Sequence, residues 1–178
     1  MKKFKILALA GSLAVLAGLA SCVGIPEGAT AVQNFNADRY LGKWYEIARF
    51  DFRFERDLDN TTAQYSKNPD GSIKVLNKGY NYVKNEWKSA EGVAKFVGDP
   101  TEARLKVSFF GPFYGGYNVI ELDDDYKYAL VAGNSLKYLW ILSRTKTIPA
   151  DVKQKYLEKA KSLGYDTEKL LWPKHDKN

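Results

Sequence analysis

The stretch Gly42-Lys43-Trp44-Tyr45-Glu46-Ile47-Ala48-Arg49-Phe50 decides the fold of this chain. It is a short aromatic-rich segment that opens on Gly-x-Trp and follows a turn-like run over residues 36–41. Aromatic and β-branched residues pack well on a pleated surface, so the stretch predicts a strand. Its position just after a turn predicts that it is the opening strand of a closed barrel.

The region that follows has the composition of strands separated by turns. Segments rich in β-forming residues alternate with Gly, Pro, Asn and Asp signals, and we expect no helix among them. Sequential strands joined by short loops pair with their neighbours, so the spacing predicts an all-β, antiparallel up-and-down meander. The expected strands are residues 42–51, 60–68, 72–82, 86–97, 102–110, 114–122, 126–133 and 137–143.

Side-chain alternation indicates which residues share a face of this sheet. On the fifth strand, polar residues alternate with an apolar row formed by Ala103, Leu105, Val107 and Phe109. Residues 138–142, by contrast, are apolar throughout. A strand of that kind is covered on both faces, which predicts a helix packed outside the barrel.

The covering helix is expected just after the eighth strand. Thr147 is expected to cap it, Pro149 to occupy its first turn and Gly164 to follow its end. An apolar stripe at helical spacing is formed by Val152, Tyr156, Ala160 and Leu163. Beyond the helix, residues 165–172 are expected to form a short ninth strand, and residues 173–178 a polar tail.

Composition and charge narrow the function classes. The chain has 178 residues, of which 45% are hydrophobic, and this suits one globular domain. Removing Lys2, Lys3 and Lys5 of the leader from the net charge of +6 leaves +3. Nucleic-acid binding needs a clustered basic patch, and here basic and acidic residues are interleaved, so no nucleic-acid partner is expected.

The first residues have the layout of an export signal. Residues 1–21 combine a basic start, a short apolar run and small residues, as a secretory signal peptide does. Leu19-Ala20-Ser21-Cys22 resembles the bacterial lipobox, in which the cysteine is joined to diacylglycerol and the peptide is cut before it. Cys22 is the only cysteine, which favours lipidation over the alternative of an ordinary signal with an incidental cysteine. Two or three acyl chains hold a protein on a membrane stably where one does not.

The lipobox resemblance also implies a location. Many lipoproteins retained in the inner membrane carry Asp after the cysteine, whereas this chain has Val23, so the resemblance implies the outer membrane of a Gram-negative envelope. Residues 22–35 contain Gly24, Pro26 and Gly28 and are expected to form a flexible, lipidated tether. The folded domain is expected over residues 36–172.

Three segments, taken in order, resemble the lipocalin family, and in particular its branch of bacterial outer-membrane lipoproteins. They are residues 40–50, residues 107–120 and the stretch Tyr138-Leu139-Trp140-Ile141-Leu142-Ser143-Arg144-Thr145. The resemblance implies an eight-stranded antiparallel up-and-down barrel with one C-terminal helix outside it. It also implies that Gly42 and Trp44 pack at the closed end under Arg144. One departure lies at residues 125–129, which read Asp-Tyr-Lys-Tyr-Ala where many lipocalins have a Thr-Asp-Tyr-type motif.

The expected closure also nominates the residues of the cavity. An indole face under a guanidinium plugs a barrel end well, because a cation–π contact strengthens when it is shielded from water. If Trp44 and Arg144 meet there, alternation puts Glu46 and Ala48 in the lumen. The same argument places further side chains toward the ligand, namely Val75, Ala94, Phe96, Leu105, Val107, Phe109, Tyr117, Trp140 and Leu142.

Some positions carry alternatives. Glu46 is expected either to hydrogen-bond a lipid head group or to be a buried polar group satisfied by Tyr117 or Arg144. Phe113 and Tyr114 are candidates for the rim of the cavity or for the surface of a homodimer. Residues 123–125 are three consecutive Asp, which we interpret as a solvated turn rather than a cation site.

An eight-stranded barrel has room for one small ligand, and an apolar lining suits an acyl chain. The family resemblance implies a fatty acid or lysophospholipid that is stored or transported at the outer membrane. His175 is the only histidine and lies in the tail, and Cys22 would carry lipid, so no catalytic residue, metal ligand or cofactor is expected. Two alternatives stay open: an enzyme that modifies or isomerises a lipid with Glu46 or a lumen Tyr, and a carrier of another hydrophobic ligand such as haem.

Overall fold

Eight strands close on themselves in sequence order in the computed structural model, which describes residues 23–177. Each strand pairs antiparallel with the next, and the last pairs with the first, so the expected up-and-down barrel is confirmed. The strands are β1 (Gly42–Arg49), β2 (Leu58–Lys67), β3 (Ile73–Asn81), β4 (Glu86–Phe96), β5 (Arg104–Phe110), β6 (Phe113–Leu122), β7 (Tyr128–Ala132) and β8 (Leu139–Ser143).

Two of the predicted features fall outside this range. The signal peptide expected over residues 1–21 and the lipidation site expected at Cys22 lie outside the described residues. Within residues 23–177, no helix combines the length and the apolar character needed to cross a bilayer.

The loops of the barrel lie alternately at its two ends. We call the end at which β1 finishes the mouth; its loops are residues 50–57, 82–85, 111–112 and 133–138. The opposite, closed end carries the short helix α1 (Ala37–Tyr40), which directly precedes β1. Asn36 caps this helix, because its Oδ1 accepts the backbone N–H of Arg39 (3.2 Å).

Arg144 and Trp44 plug the closed end, as expected. The guanidinium carbon of Arg144 lies 3.9 Å from the centroid of the fully buried Trp44 ring. Its nitrogens donate to three backbone carbonyls, those of Arg39 (2.9 Å), Lys43 (2.9 Å) and Tyr126 (3.1 Å). Gly42 permits this approach, because it has φ +94° and an added Cβ would stand 3.3 Å from Nη1 of Arg144.

The helix predicted after β8 is present as α2 (Ala150–Ser162). Its apolar stripe is confirmed, since Tyr156 and Ala160 are buried in a cluster with outward-facing side chains of β7 and β8. The predicted cap was wrong: Pro149 stands at the N-cap, and Thr147 instead offers its carbonyl to the hydroxyls of Ser143 and Thr145 (2.9 Å each).

The end of the chain is less regular than predicted and more firmly held. Residues 165–172 contain a short 3₁₀ helix, Thr167–Lys169, and a single β-bridge between Leu171 and Arg49 rather than a ninth strand. The predicted polar tail lies across β1 and β2. His175 donates from Nε2 to the carbonyl of Glu46 (2.8 Å), and Asn60 donates its backbone N–H to the carbonyl of Lys174 (2.7 Å).

The segment before the barrel is also docked, so its interpretation as a flexible tether was wrong for the described part. Val32 donates its backbone N–H to Val119 (2.9 Å) and accepts one from Ala103 (2.9 Å). Phe35 donates its backbone N–H to the carbonyl of Thr101 (2.8 Å). The glycines and proline suggested flexibility, but the small and apolar side chains between them, Ala29, Ala31 and Phe35, are buried against the barrel.

Replacing the plug tests the closure of the barrel. We expect Trp44→Ala to lower the free energy of unfolding by about 3–5 kcal/mol, because a large, fully buried aromatic is lost. Urea unfolding followed by circular dichroism measures this loss. Trp87→Ala is the matched control, since Trp87 is half-exposed, and it should cost no more than about 1 kcal/mol. A comparably small loss for Trp44→Ala would show that the plug is not needed.

Candidate functional site

The lumen of the barrel is the candidate site. Its walls carry an inward-facing apolar cluster, and Tyr40, Trp44 and Tyr65 form the part of this cluster at the closed end. The structure brings most of the predicted lumen residues into this cluster: Val75, Ala94, Phe96, Leu105, Val107, Phe109, Tyr117, Trp140 and Leu142. Several of them, including Val107, Phe109 and Trp140, remain partly accessible to solvent although they face inward. That these side chains contact a ligand stays a prediction.

Ala48 does not face the lumen, and this prediction was wrong. The pairing of β1 with β8 shifts between Glu46 and Ala48, so that one extra residue is inserted in β1. As a result Ile47 and Ala48 both pack into the outer cluster under α2. The alternation then resumes one residue out of step, which turns the side chain of Arg49 into the barrel opposite Trp140.

Arg49 is a candidate lumen residue that the sequence reasoning missed. Its side chain is only 2% exposed, and it donates from Nη1 to Oε1 of Glu46 (2.7 Å). Nη2 donates to the carbonyls of Glu55 (2.7 Å) and Leu58 (3.0 Å), which ties the mouth loop at residues 50–57 to the wall of the barrel. No sequence signal marks the shift in β1, and strict alternation from Glu46 would place Arg49 on the outer face.

Two carboxylates share this arginine. Besides its ion pair with Arg49, Glu46 accepts a hydrogen bond from the hydroxyl of Thr61 (3.0 Å). These two partners take the place of Tyr117 and Arg144, which one of the alternatives had named. Glu55 places Oε2 3.7 Å from Nε of Arg49 and accepts a hydrogen bond from Nε1 of Trp140 (3.2 Å). We call Glu46, Arg49, Glu55, Thr61 and Trp140 the acid–arginine cluster.

Burial and neighbouring charges shift the pKa of Glu55. Burial raises the pKa of Glu55 well above its usual range, and repulsion from Glu46 raises it further. Arg49 opposes this rise, but it is bonded directly to Glu46 and stands farther from Glu55. Glu55 therefore releases its proton at a higher pH than an ordinary carboxyl group does, and in its protonated form it adds a hydrogen-bond donor to the cluster.

A second polar group forms the floor of the lumen. The hydroxyl of Tyr117 lies 2.8 Å from that of Tyr40 and 2.9 Å from that of Tyr65. Burial raises the pKa of each phenol above its usual value, which keeps all three neutral. Two mutual bonds use two of the three hydroxyl hydrogens, so one hydrogen is left to donate elsewhere.

Aromatic side chains surround the mouth. The ring of Phe52 packs edge-on against Trp140, with centroids 5.6 Å apart, and Phe54 lies 5.9 Å from Phe110. Phe113, beside the turn at residues 111–112, is 76% exposed, which agrees with its predicted place at the rim. Tyr114 is half-buried on the outer face, where Lys106 lies over its ring (4.9 Å).

The acidic run at residues 123–125 forms a turn, as interpreted. Oδ1 of Asp123 accepts the backbone N–H groups of Lys127 (2.7 Å) and Tyr128 (2.5 Å), which closes the loop between β6 and β7. Nowhere in residues 23–177 do three or more His, Cys, Asp or Glu side chains converge as a metal site would require.

A closed barrel with a plugged end and an apolar lumen defines a binding protein for a small hydrophobic ligand. The model of the Lipocalin-like domain matches residues 35–175. The chain belongs to the lipocalin family.

Relatives place it in the bacterial branch. The outer membrane lipoprotein Blc of Citrobacter freundii is 60% identical over 84% of each chain, and that of Escherichia coli K12 is 59% identical over 83% of each. These names agree with the predicted outer-membrane location. Insecticyanin of the tobacco hornworm Manduca sexta superposes with a TM-score of 0.66 over 84% of this chain and 86% of its own, and at 20% identity it supports the fold alone.

The raised pKa of Glu55 makes stability depend on pH. The folded state holds this proton more tightly than the unfolded state, so the free energy of unfolding falls as pH rises from the usual carboxyl range through the raised pKa. We expect Glu55→Gln to remove this fall, because the amide stays neutral at every pH.

Urea unfolding at several values between about pH 4 and pH 8 measures the effect. Glu91→Gln is the control, because Glu91 is exposed on β4 and pairs only with the exposed Lys74 (3.1 Å). A Glu55→Gln profile parallel to that of the unmodified protein would contradict the raised pKa of Glu55.

Proposed function

We propose that this lipocalin is anchored to the outer membrane and binds one fatty acid or lysophospholipid, which it stores or transports. The observation that carries the proposal is an inward-facing apolar wall, plugged at one end by Trp44 and Arg144 and partly accessible to solvent toward the other. Such a cavity takes an acyl chain along its length, because apolar burial drives binding and only the chain's polar end needs specific partners.

The proposed contacts fall into two groups. The acyl chain would lie against Val75, Ala94, Phe96, Val107, Phe109 and Tyr117. The polar end would approach the acid–arginine cluster through Glu46 and Trp140, where the carboxyl of Glu55, whose pKa is raised by burial, can donate in its protonated form to a phosphate or carboxylate oxygen. The cluster lies under the mouth loop at residues 50–57, so this orientation keeps the head group on the mouth side.

The anchor rests on separate support. The lipobox-like sequence ending at Cys22 and the names of the Blc relatives both favour acylation of this residue and export to the outer membrane. The intact mass of protein purified from membranes tests this directly. Acylated protein is expected to begin at Cys22 and to carry the added mass of diacylglycerol and an amide-linked acyl chain, whereas an unmodified mass would contradict the anchor.

A filled lumen tests the ligand site. Val107 is inward-facing and partly accessible, so Val107→Trp should occupy the space of the acyl chain and weaken binding of a fluorescent long-chain fatty acid at least about tenfold. Lys106→Trp is the matched control, because its side chain leaves the opposite face of the same strand. Titration of purified protein should give one saturable site for the unmodified chain and for the control.

Two results would contradict the proposal. One is equal binding by Val107→Trp and Lys106→Trp when circular dichroism shows that both are folded. The other is failure of every fatty acid and lysophospholipid to compete with the probe. Native mass spectrometry of the same preparation identifies lipid that co-purifies and tests the predicted homodimer at the same time.

A further inference from the structure

The docked N-terminal segment fixes where the chain leaves the barrel. Phe35 is bonded to Thr101, in the loop between β4 and β5 at the closed end. Val32 is bonded to Val119 of β6 and to Ala103, just before β5, both in the half of the barrel nearer the closed end. Traced backwards, the segment therefore runs from the closed end, where Phe35 and Val32 pack into the inward-facing cluster, toward the mouth, with Ala29 and Ile25 packed into the outer cluster.

The far end of this segment lies beside a mouth loop. The carbonyl of Gly24 accepts a hydrogen bond from Nδ2 of Asn118 (3.1 Å), and the same nitrogen donates to Gly133 (3.2 Å), the first residue of the mouth loop at 133–138. Gly116 has no room for a side chain here, because an added Cβ would stand 2.8 Å from the carbonyl oxygen of Gly24. Residues 25–27 line a surface depression of about 510 Å³ together with Asn134, Ser135, Leu136 and Leu163.

Covalent geometry then limits the position of the anchor. Cys22 is two residues from Gly24, and consecutive Cα atoms are about 3.8 Å apart, so its reach from Gly24 is about 7–8 Å. The closed end, by contrast, is separated from Gly24 by the whole docked segment. An acylated Cys22 would therefore hold the mouth, and not the closed end, against the membrane.

The mouth carries side chains that suit such a surface. Six of the nine large hydrophobic side chains that are exposed among residues 23–177 lie on or directly beside the mouth loops, and each of the four loops contributes: Phe54, Tyr82, Val83, Phe110, Phe113 and Leu136. Apolar residues clustered at one end, when most of the exterior is polar, mark an interaction surface.

Charge complements this apolar rim. Arg53, Lys84 and Lys137 are exposed on three of the same loops, and Arg53 lies over the ring of Phe54 (5.1 Å). The exposed Asp51 is paired with Arg56 (3.5 Å). Aromatic and aliphatic side chains flanked by cations fit the interface of a phospholipid leaflet, where the rings sit at head-group level and the cations meet phosphates.

We infer that the mouth of the barrel docks on the phospholipid leaflet that carries the Cys22 anchor, with the six apolar side chains in the interfacial region. This inference rests on the anchored lipid carrier proposed above. It gives that carrier a direct route, in which a lipid passes from the leaflet into the lumen without crossing water. A second copy of the chain is a less suitable partner, because a mouth-to-mouth pair would point both anchors into its own interface.

Site-specific fluorescence tests the orientation. Acylated protein has no other cysteine, so Phe113→Cys offers one free thiol at the mouth and Asp124→Cys one at the closed end. Each is labelled with the environment-sensitive fluorophore NBD and reconstituted into vesicles of phosphatidylethanolamine and phosphatidylglycerol, with or without nitroxide-labelled lipid.

We expect the Phe113→Cys probe to shift to the blue on reconstitution and to lose most of its emission to nitroxide lipid. The Asp124→Cys probe should keep the emission of a fluorophore in water. Quenching of the closed-end probe instead, or of neither probe, would overturn the inference. So would a mouth probe that is shielded from aqueous iodide but not quenched by nitroxide lipid, which would indicate a second copy of the chain.

Two parallel measurements separate this inference from the function on which it rests. The mass of each preparation establishes that Cys22 is acylated, and binding of a fluorescent fatty acid reports the lumen. Ligand binding without quenching of the mouth probe would defeat the membrane orientation alone. Quenching without ligand binding would defeat the carrier function alone.

Discussion

The stack of Arg144 on Trp44 is the interaction on which the rest of the barrel depends. One guanidinium joins three other parts of the chain to the end of β8, because it covers the indole on β1 and donates to carbonyls of α1, β1 and the loop between β6 and β7. A planar group with five donors in a fixed geometry can do this, whereas an ammonium cannot. The contact closes one end of the lumen and fixes the side of β1 that faces inward, so it sets the frame in which a ligand is bound.

The second constraint is the extra residue in β1. It lets one short strand serve two cores, since Ile47 and Ala48 pack under α2 while Glu46 and Arg49 face the lumen. A charged pair inside a barrel is costly to desolvate, and here the cost is offset by a 2.7 Å ion pair and by hydrogen bonds to two backbone carbonyls. The same bonds hold the mouth loop at residues 50–57, so the polar cluster is both a lining of the cavity and a support for its entrance.

Both ends of the described chain are fastened to the barrel. Residues 24–35 run along the sheet from the mouth to the closed end, and residues 171–177 cross β1 and β2 through Arg49, Asn60 and the Glu46 carbonyl. The domain is therefore larger than the meander itself. An anchor attached to a docked segment would fix the orientation of the barrel relative to the membrane as well as its distance from it. A flexible tether would limit only the distance.

Local patterns in the sequence determined much of this protein. Turn residues and alternation predicted eight strands in an up-and-down order, and the apolar run at residues 138–142 predicted a covering helix. The plug of Gly42, Trp44 and Arg144 was implied by the resemblance of three segments to lipocalins. The strands and the helix could be predicted because they depend on side-chain periodicity and on turn residues, which are local in the sequence. Only the tertiary structure decided that Ala48 faces outward, that Arg49 and Glu55 enter the lumen and that residues 24–35 are docked. Ala48 and Arg49 depend on a one-residue shift in the β1–β8 ladder, which moves every later side chain to the other face without leaving a mark in the sequence. Glu55 is placed by side-chain contacts with Arg49 and Trp140, and residues 24–35 by hydrogen bonds to segments distant in sequence.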